Sequence, residues 1–194
     1  MNGKVPIYLQ RSQKKKPHFG GKADMWSLYF LSVWLHILAA TLWVGGMLFL
    51  SLVIVPLLRH PEISPHRTRL LSFLGLRFRA IGWLALATLF LTGLYNIAAR
   101  GGTLQDAFNG LLWEGEFGRT LMEKLTTFGI ILLVSALHDF WVGPKVTALA
   151  KQFGNPSPEV ERWRKLAAWL GRLNLLLALL MVAFGVMLVR GRPF

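Results

Sequence analysis

The sequence predicts an all-α integral membrane protein, a four-helix bundle with both termini on the same side of the membrane. Hydrophobic residues make up 54% of the 194 residues, and only 16% are charged. The apolar residues fall in blocks, and several blocks reach the roughly 20 residues that a helix needs to cross a bilayer. Because a backbone in lipid must satisfy its own hydrogen bonds, helices are the natural form for such blocks.

Four apolar blocks predict the four spans of one membrane domain, at about residues 25–190. The first block, residues 26–58, contains no Lys, Arg, Asp or Glu. The other three cover about residues 80–99, 121–142 and 167–189. An even number of crossings places both chain ends on one face, called the terminal side below, and the other face is the opposite side. The first block is much longer than the roughly 7–15 apolar residues of a signal peptide, so we expect it to remain as a span.

The polar segments between the blocks are expected to lie outside the bilayer. Residues 1–24 form a basic tail that we expect to be disordered. His60 and His66 fall in the first loop, where we expect ordinary loop residues. Residues 160–169 are basic and contain tryptophan, which favours a short helix in the membrane interface before the last span. Lys and Arg in the tails and loops divide evenly, ten to each side, so the count leaves the membrane orientation open.

The formal charge of +13 does not indicate a nucleic-acid partner, because the basic residues flank the spans as anchors would. The absence of cysteine excludes disulfides, thiolate metal sites and iron–sulfur clusters. No motif of a hydrolase or a nucleotide-binding enzyme is present. The expected partner is the lipid bilayer, and the expected location is the cytoplasmic (inner) membrane of a bacterium. A homo-oligomer or a place in a larger complex is compatible with this composition.

His36 is the most informative residue, because an imidazole inside an apolar span has lost water and needs a partner. The first and third spans run in the same direction, and Lys124 is also early in its span. The second span runs the other way, so its late residues Tyr95 and Asn96 return to the same level. These four residues form the predicted terminal-side site. A purely structural role also stays open, with His36 hydrogen-bonded to a neighbour and Lys124 reaching the headgroups.

Two further patterns accompany this site. His36, Trp43 and Met47 recur along one stripe of a helix, beside two glycines that allow a helix or a flat ligand to approach closely. A second polar set is predicted on the opposite side, made of His138, Asp139, Asn174, Arg77 and Arg79. At 1.5 Å per residue, Lys124 and His138 are about 21 Å apart, so one haem or metal ion cannot use both.

Short motifs resemble a known family. The segment Trp34-Leu35-His36, followed by residues 42–46, resembles the opening helix of the copper resistance protein D (CopD) domain. Residues 117–125, with Phe117-Gly118-Arg119 and Lys124-Leu125, are similar to that family's third helix, and Thr92-Gly93 to the end of its second. The first helix also resembles HemJ-type protoporphyrinogen oxidases. The CopD resemblance implies copper handling, and the HemJ resemblance implies haem b with roles for His36 and Lys124.

Three functions follow as hypotheses. The first is a protein that binds haem b through His36, for electron transfer or a quinone-coupled redox step. An electron partner would be a quinone or a redox protein, and any enzyme activity would be that of a haem-dependent membrane oxidoreductase. The residues expected around the haem are Lys124, Trp43 and Asn96. A propionate would be met by Arg119, or by Arg77 with Arg79 on the opposite side. The second hypothesis is copper transport or tolerance, with His36, Met47 and His138 as ligands. The third is a structural subunit of a larger membrane complex.

Overall fold

The computed structural model describes residues 20–153 and 157–191, and the predicted tail therefore lies almost wholly outside it. The described residues contain helices and no β-strand. The helices of four or more residues, apart from two π turns, are α1 (Gly20–Phe49), α2 (Arg67–Ala99), α3 (Leu104–Phe108), α4 (Gly115–Ala136), α5 (Gly143–Phe153) and α6 (Pro158–Arg190). Four helical segments are long and apolar enough to cross a membrane: Asp24–Leu57, Arg69–Ala99, Gly115–Phe153 and Pro158–Arg190. The predicted all-α, four-span architecture is confirmed.

The helices are longer than the apolar blocks, because hydropathy marks only the part of a helix that lies in lipid. Residues 67–79, predicted as loop, form the first turns of α2, and their Arg and Leu residues are good helix formers. Residues 160–169 were expected to be a separate interfacial helix and are instead the beginning of α6. Ser157 starts α6 by accepting a hydrogen bond from the Val160 N–H at 3.3 Å, and Pro158 follows at the first helical position.

Two π turns interrupt the spanning helices near the opposite side. The first, Leu50–Ile54, follows α1, and the second, Leu137–Val142, joins α4 to α5. Each turn ends two residues before a proline, Pro56 or Pro144. Proline has no N–H to donate to the helix ladder, so a local change of hydrogen bonding at this point is expected.

The bundle consists of two hairpins, of which the first is α1 packed on α2 and the second is α4 packed on α6. All four helices contribute to one apolar core. The shift of 88 residues that carries Pro56 onto Pro144 also carries the buried positions of α1 onto those of α4. The buried pairs are Ser32 with Thr120, Ala39 with Thr127, Trp43 with Ile131, and Met47 with Ser135. The first helices of the two hairpins, α1 and α4, therefore run in the same direction and bury equivalent positions, and His36 and Lys124 correspond in this register.

The short helix α3, between the two hairpins, begins with a reciprocal cap. The Asp106 N–H donates to Thr103 Oγ1 at 3.1 Å, and the Thr103 N–H donates to Asp106 Oδ2 at 2.9 Å. The Thr103 hydroxyl also donates to Asp106 Oδ2 at 2.6 Å. The hydrogen bond from the Thr103 side chain, and then the one from its backbone, lower the pKa of the Asp106 carboxyl.

This lowered pKa predicts that the stability of α3 depends on pH. A carboxyl whose pKa falls on folding stabilises the folded form above its unfolded pKa, and the effect is lost as the pH falls through the folded pKa. We therefore expect amide protection in residues 104–108, corrected for intrinsic exchange, to decrease on acidification. Hydrogen exchange between about pH 6 and pH 3 measures this. Thr103→Ala should weaken α3 at neutral pH and remove most of the acid response, and an unchanged response in that variant would contradict the assignment.

Candidate functional site

The His36 ring is held by a hydroxyl of the neighbouring helix. His36 Nδ1 lies 2.8 Å from Thr92 Oγ1, and Thr92 Oγ1 lies 2.6 Å from the Thr88 carbonyl oxygen. The carbonyl can only accept, and the hydroxyl has a single proton, so Thr92 donates to Thr88. The Nδ1–H of His36 then donates to Thr92, and the Leu89 carbonyl is a second acceptor for the ring. This assignment leaves the lone pair of His36 Nε2 available to a ligand.

The first hairpin places the His36 imidazole close against α2. A Cβ atom at Gly93 would lie 3.6 Å from His36 Cε1, so the ring rests beside a position that has no side chain. Ser32, one turn earlier on α1, donates from its hydroxyl to the Thr92 carbonyl at 3.4 Å. The ring is half-buried, and its orientation is therefore fixed by a hydrogen bond and by helix packing together.

Lys124 occupies the equivalent place in the second hairpin. Its Nζ lies 3.8 Å from where a Cβ atom of Gly185 on α6 would be, so it too rests beside a glycine of its partner helix. Among the described residues Lys124 has no ion pair. A half-buried cation without a counterion in an apolar bundle favours an anionic or electron-rich ligand.

The remaining residues predicted for this site are placed differently. Asn96 lies one turn beyond Thr92, and its buried Oδ1 has no hydrogen-bond partner within the described residues. Tyr95 is 39% exposed and lies on the outside of the bundle. Arg119 is also exposed. The structure therefore brings His36 and Thr92 together, with Asn96 one turn away on α2, and places Lys124 at the equivalent position of the second hairpin beside Gly185.

A shallow groove of about 160 Å³ opens between the start of α4 and the end of α6. It is lined by Thr120, which is one turn from Lys124, and by Glu116, Phe117, Met187, Leu188 and Gly191. Binding pockets for cofactor-sized ligands measure roughly 300–1,000 Å³. This groove lies within the second hairpin and is too small for a ligand of that size.

The opposite-side set centres on Asp139 in the second π turn. Its Oδ1 accepts from His138 Nδ1 at 2.8 Å, and its Oδ2 accepts from Trp83 Nε1 at 3.0 Å. In the π turn the Gly143 N–H bonds to the His138 carbonyl, and Pro144 has no N–H for the Asp139 carbonyl. Arg79 Nη1 donates to that carbonyl at 2.9 Å and completes the turn. This cluster ties α2 to α4 and fixes the π turn.

The residues proposed for copper lie at three levels. Met47 Sδ is 4.0 Å from Asn174 Nδ2, which donates to Ser135 Oγ at 3.0 Å. Met47 is eleven residues from His36, or about 16 Å along the helix. Trp43 is 4% exposed and packs beside Gly82, within the apolar core between the two levels. The described residues hold no group of three His, Asp or Glu side chains that could bind a metal ion.

Two partners in these clusters were missed from the sequence. Thr92 was noted only as part of a motif, and Trp83 was not singled out. The available signal for Thr92 was a hydroxyl inside an apolar block, at the depth of His36 on an antiparallel helix. Trp83 carried no such signal, because tryptophans are common at the ends of membrane spans.

The fold and this site define a multi-pass α-helical membrane protein in which a hydrogen bond joins His36 to Thr92 within the first hairpin. The chain belongs to the family described as Domain of unknown function (DUF4149), whose model matches residues 38–155. A relative from Aquifex aeolicus (strain VF5), described as an uncharacterized protein, is 40% identical over 158 residues, which is 80% of this chain and 92% of the relative. No solved structure matches the chain.

These matches correct the family resemblance drawn from the sequence. The assignment to the CopD domain, and the weaker one to HemJ-type oxidases, is wrong, because the family found is DUF4149. The motifs behind the resemblance, such as Trp34-Leu35-His36 and Lys124-Leu125, are short. Their small and apolar residues serve helix packing in membrane proteins of many kinds. The family match includes Lys124 and Thr92, and it begins two residues after His36.

Proposed function

We propose that this protein binds haem b at the seam between its hairpins, with His36 Nε2 as an iron ligand, and that it serves electron transfer in the cytoplasmic membrane of a bacterium. The observation that carries the proposal is the hydrogen bond from His36 Nδ1 to Thr92. Histidines that bind metals almost always donate their other ring N–H to a fixed acceptor, which sets the tautomer and the ring orientation. The free imidazole nitrogen inside a membrane bundle is a good axial ligand for haem iron.

The basic residues on the same side as His36 fit the negative charge of a haem group. Haem carries two propionates, and the basic residues Lys124 and Arg100 lie on the terminal side, where they could meet them. Lys124 has no counterion within the described residues, so it is available to an anionic group or as a ligand. Gly93 and Gly185 leave both flanks of the seam without side chains. When bound, the iron would supply one-electron redox chemistry, with a quinone or a redox protein as the partner.

Copper is the weaker candidate, because its three suggested ligands are separated along the bundle. His36 and Met47 are about 16 Å apart by helical rise. His138 already donates to Asp139. A purely structural subunit is the remaining candidate, and it is distinguished by the experiment below.

The experiment is an absorption spectrum of the detergent-purified full chain, titrated with haem b. We expect a Soret band that saturates at one haem per chain and is lost in His36→Ala. Thr92→Val keeps the imidazole and removes its acceptor, so haem affinity should fall about 10- to 100-fold. The matched control is Thr88→Val, one turn away on the same helix, whose hydroxyl donates only to the Leu84 carbonyl. It should bind haem as the wild type does.

Two results would overturn the proposal. One is a wild-type chain that gives no saturable Soret band. The other is a band that persists unchanged in His36→Ala. Equal losses in Thr92→Val and Thr88→Val would show that helix packing, and not the histidine hydrogen bond, controls binding. Helical circular dichroism of each variant verifies that its fold is intact.

A further inference from the structure

The opposite side carries a collar of exposed basic side chains that have no ion pair within the described residues. These residues, called the basic collar, are Arg59, Arg69, Arg77, Lys151, Arg162, Lys165 and Arg172. This side has four acidic residues, of which Asp139 is engaged by His138 and Trp83, and Glu161 by Arg164 at 3.2 Å. The other two, Glu62 and Glu159, stand against the seven cations of the collar. The collar therefore keeps a large uncompensated positive charge.

The terminal side is different in charge. The described residues of that side include five acidic residues, Asp24, Asp106, Glu114, Glu116 and Glu123, and five basic ones, Lys22, Arg100, Arg119, Lys124 and Arg190. Charge is thus strongly polarised across the bundle. Sequence counting did not detect this polarity, because the basic tail, outside the described residues, balanced the totals.

The collar lies at the membrane boundary and not on a distant soluble surface. Arg172 is two residues from Asn174, which contacts Met47 and Ser135 in the bundle. Large aromatic side chains stand among the cations, with Trp141 59% and Trp169 56% exposed. Lys145 Nζ lies 4.1 Å from the ring centre of Trp163 and joins α5 to α6 at this level. Mixed basic and aromatic residues at helix ends are the pattern of a membrane interface.

We propose that the basic collar binds the phosphate headgroups of anionic phospholipids. Clusters of four to eight Lys and Arg directly outside a spanning helix attract anionic lipids, and each charge near the surface contributes to the attraction. Six of the seven cations are held by the rigid helices α2, α5 and α6, within about 15 Å of helical rise on any one helix, and Arg59 lies in the segment before α2. This inference is independent of any cofactor at the seam.

The test uses the full chain reconstituted in phosphatidylcholine vesicles with a trace of spin-labelled lipid. The fraction of immobilised label is compared between phosphatidylglycerol and phosphatidylcholine probes, at about 10 mM and about 500 mM salt. We expect the wild type to prefer phosphatidylglycerol at low salt and to lose that preference at high salt. In Arg162→Gln/Lys165→Gln the preference should fall by about half or more.

The matched control is Arg119→Gln/Arg190→Gln, which removes the same charge from exposed positions on the terminal side. Its lipid preference should equal that of the wild type. The proposal is overturned if phosphatidylglycerol and phosphatidylcholine are immobilised equally at low salt, in which case the collar faces a protein partner or solvent. It is also overturned if both double variants lose the preference equally, since net charge alone would then explain it.

Discussion

Gly118→Ala should lower the stability of the protein by about 1 to 3 kcal/mol, although it adds a single methyl group. A Cβ atom at Gly118 would lie 2.7 Å from the Leu112 carbonyl oxygen and would also overlap the backbone of Trp113. Backbone atoms cannot rotate away as the end of a side chain can. The turn Leu111–Trp113 would therefore have to lift from α4, and it carries α3 with it, because Trp113 Nε1 donates to the Ala107 carbonyl at 2.9 Å.

Gly129→Ala is the control for this prediction. Gly129 lies on the same helix, and a Cβ atom there would meet nothing within 4 Å. Since alanine is the better helix former by about 1 kcal/mol, this variant should be neutral or slightly more stable. Thermal unfolding in detergent, followed by circular dichroism, compares the two. Equal stability of both variants would mean that the turn does not rest on α4 as described.

Ile131→Ala should cost about 2 kcal/mol, the lower end of the range for Ile→Ala in a protein core. Ile131 is fully buried among all four helices, so truncation leaves a cavity at the centre of the bundle. The lower end applies because helices that separate within lipid do not expose the side chain to water, and only packing is lost. Unfolding in mixed micelles of increasing SDS content measures the change in free energy.

The neighbouring Ile130 provides an internal comparison. It is 44% exposed on the outer surface of the same helix, where detergent or lipid replaces the lost contacts. Ile130→Ala should therefore stay within about 0.5 kcal/mol of the wild type. If the two alanine variants were equally destabilised, Ile131 could not occupy the core position assigned to it.

The fold class could be predicted because a helix must contain about 20 apolar residues to cross the bilayer, and such blocks are visible in the sequence. The helix ends could not, because residues 67–79 and 158–166 continue their helices outside the apolar blocks, where composition no longer distinguishes helix from loop. The π turns were also not predicted. Pro56 and Pro144 each remove one N–H donor from the hydrogen bonds of the helix. A kink, a helix end and a π turn are all compatible with that loss, so the sequence does not choose among them.

The depth of the candidate site residues in the membrane could be predicted from the sequence. The rotation of each helix about its own axis, which decides where a side chain faces, could not. Counting residues along antiparallel helices brought His36, Lys124 and Asn96 to the terminal side. The same count brought Tyr95 there, and only the packing of α2 shows that this side chain is on the outer surface. The hydroxyl of Thr92, which fixes the histidine tautomer, depends on a contact between residues 56 apart in sequence. Such a pairing cannot be read from one sequence without the helix register.

The recurrence of the buried positions of α1 in α4, 88 residues later, has a consequence for where in the membrane a ligand could bind. In transporters built from inverted repeats, a pseudo-two-fold axis in the membrane plane makes the two faces of the bilayer interchangeable, which suits alternating access. Here α1 and α4 run in the same direction, and no such operation relates one leaflet to the other. His36 and Lys124 therefore lie at corresponding depths in one leaflet, and the recurrence supplies no matching pair in the other leaflet.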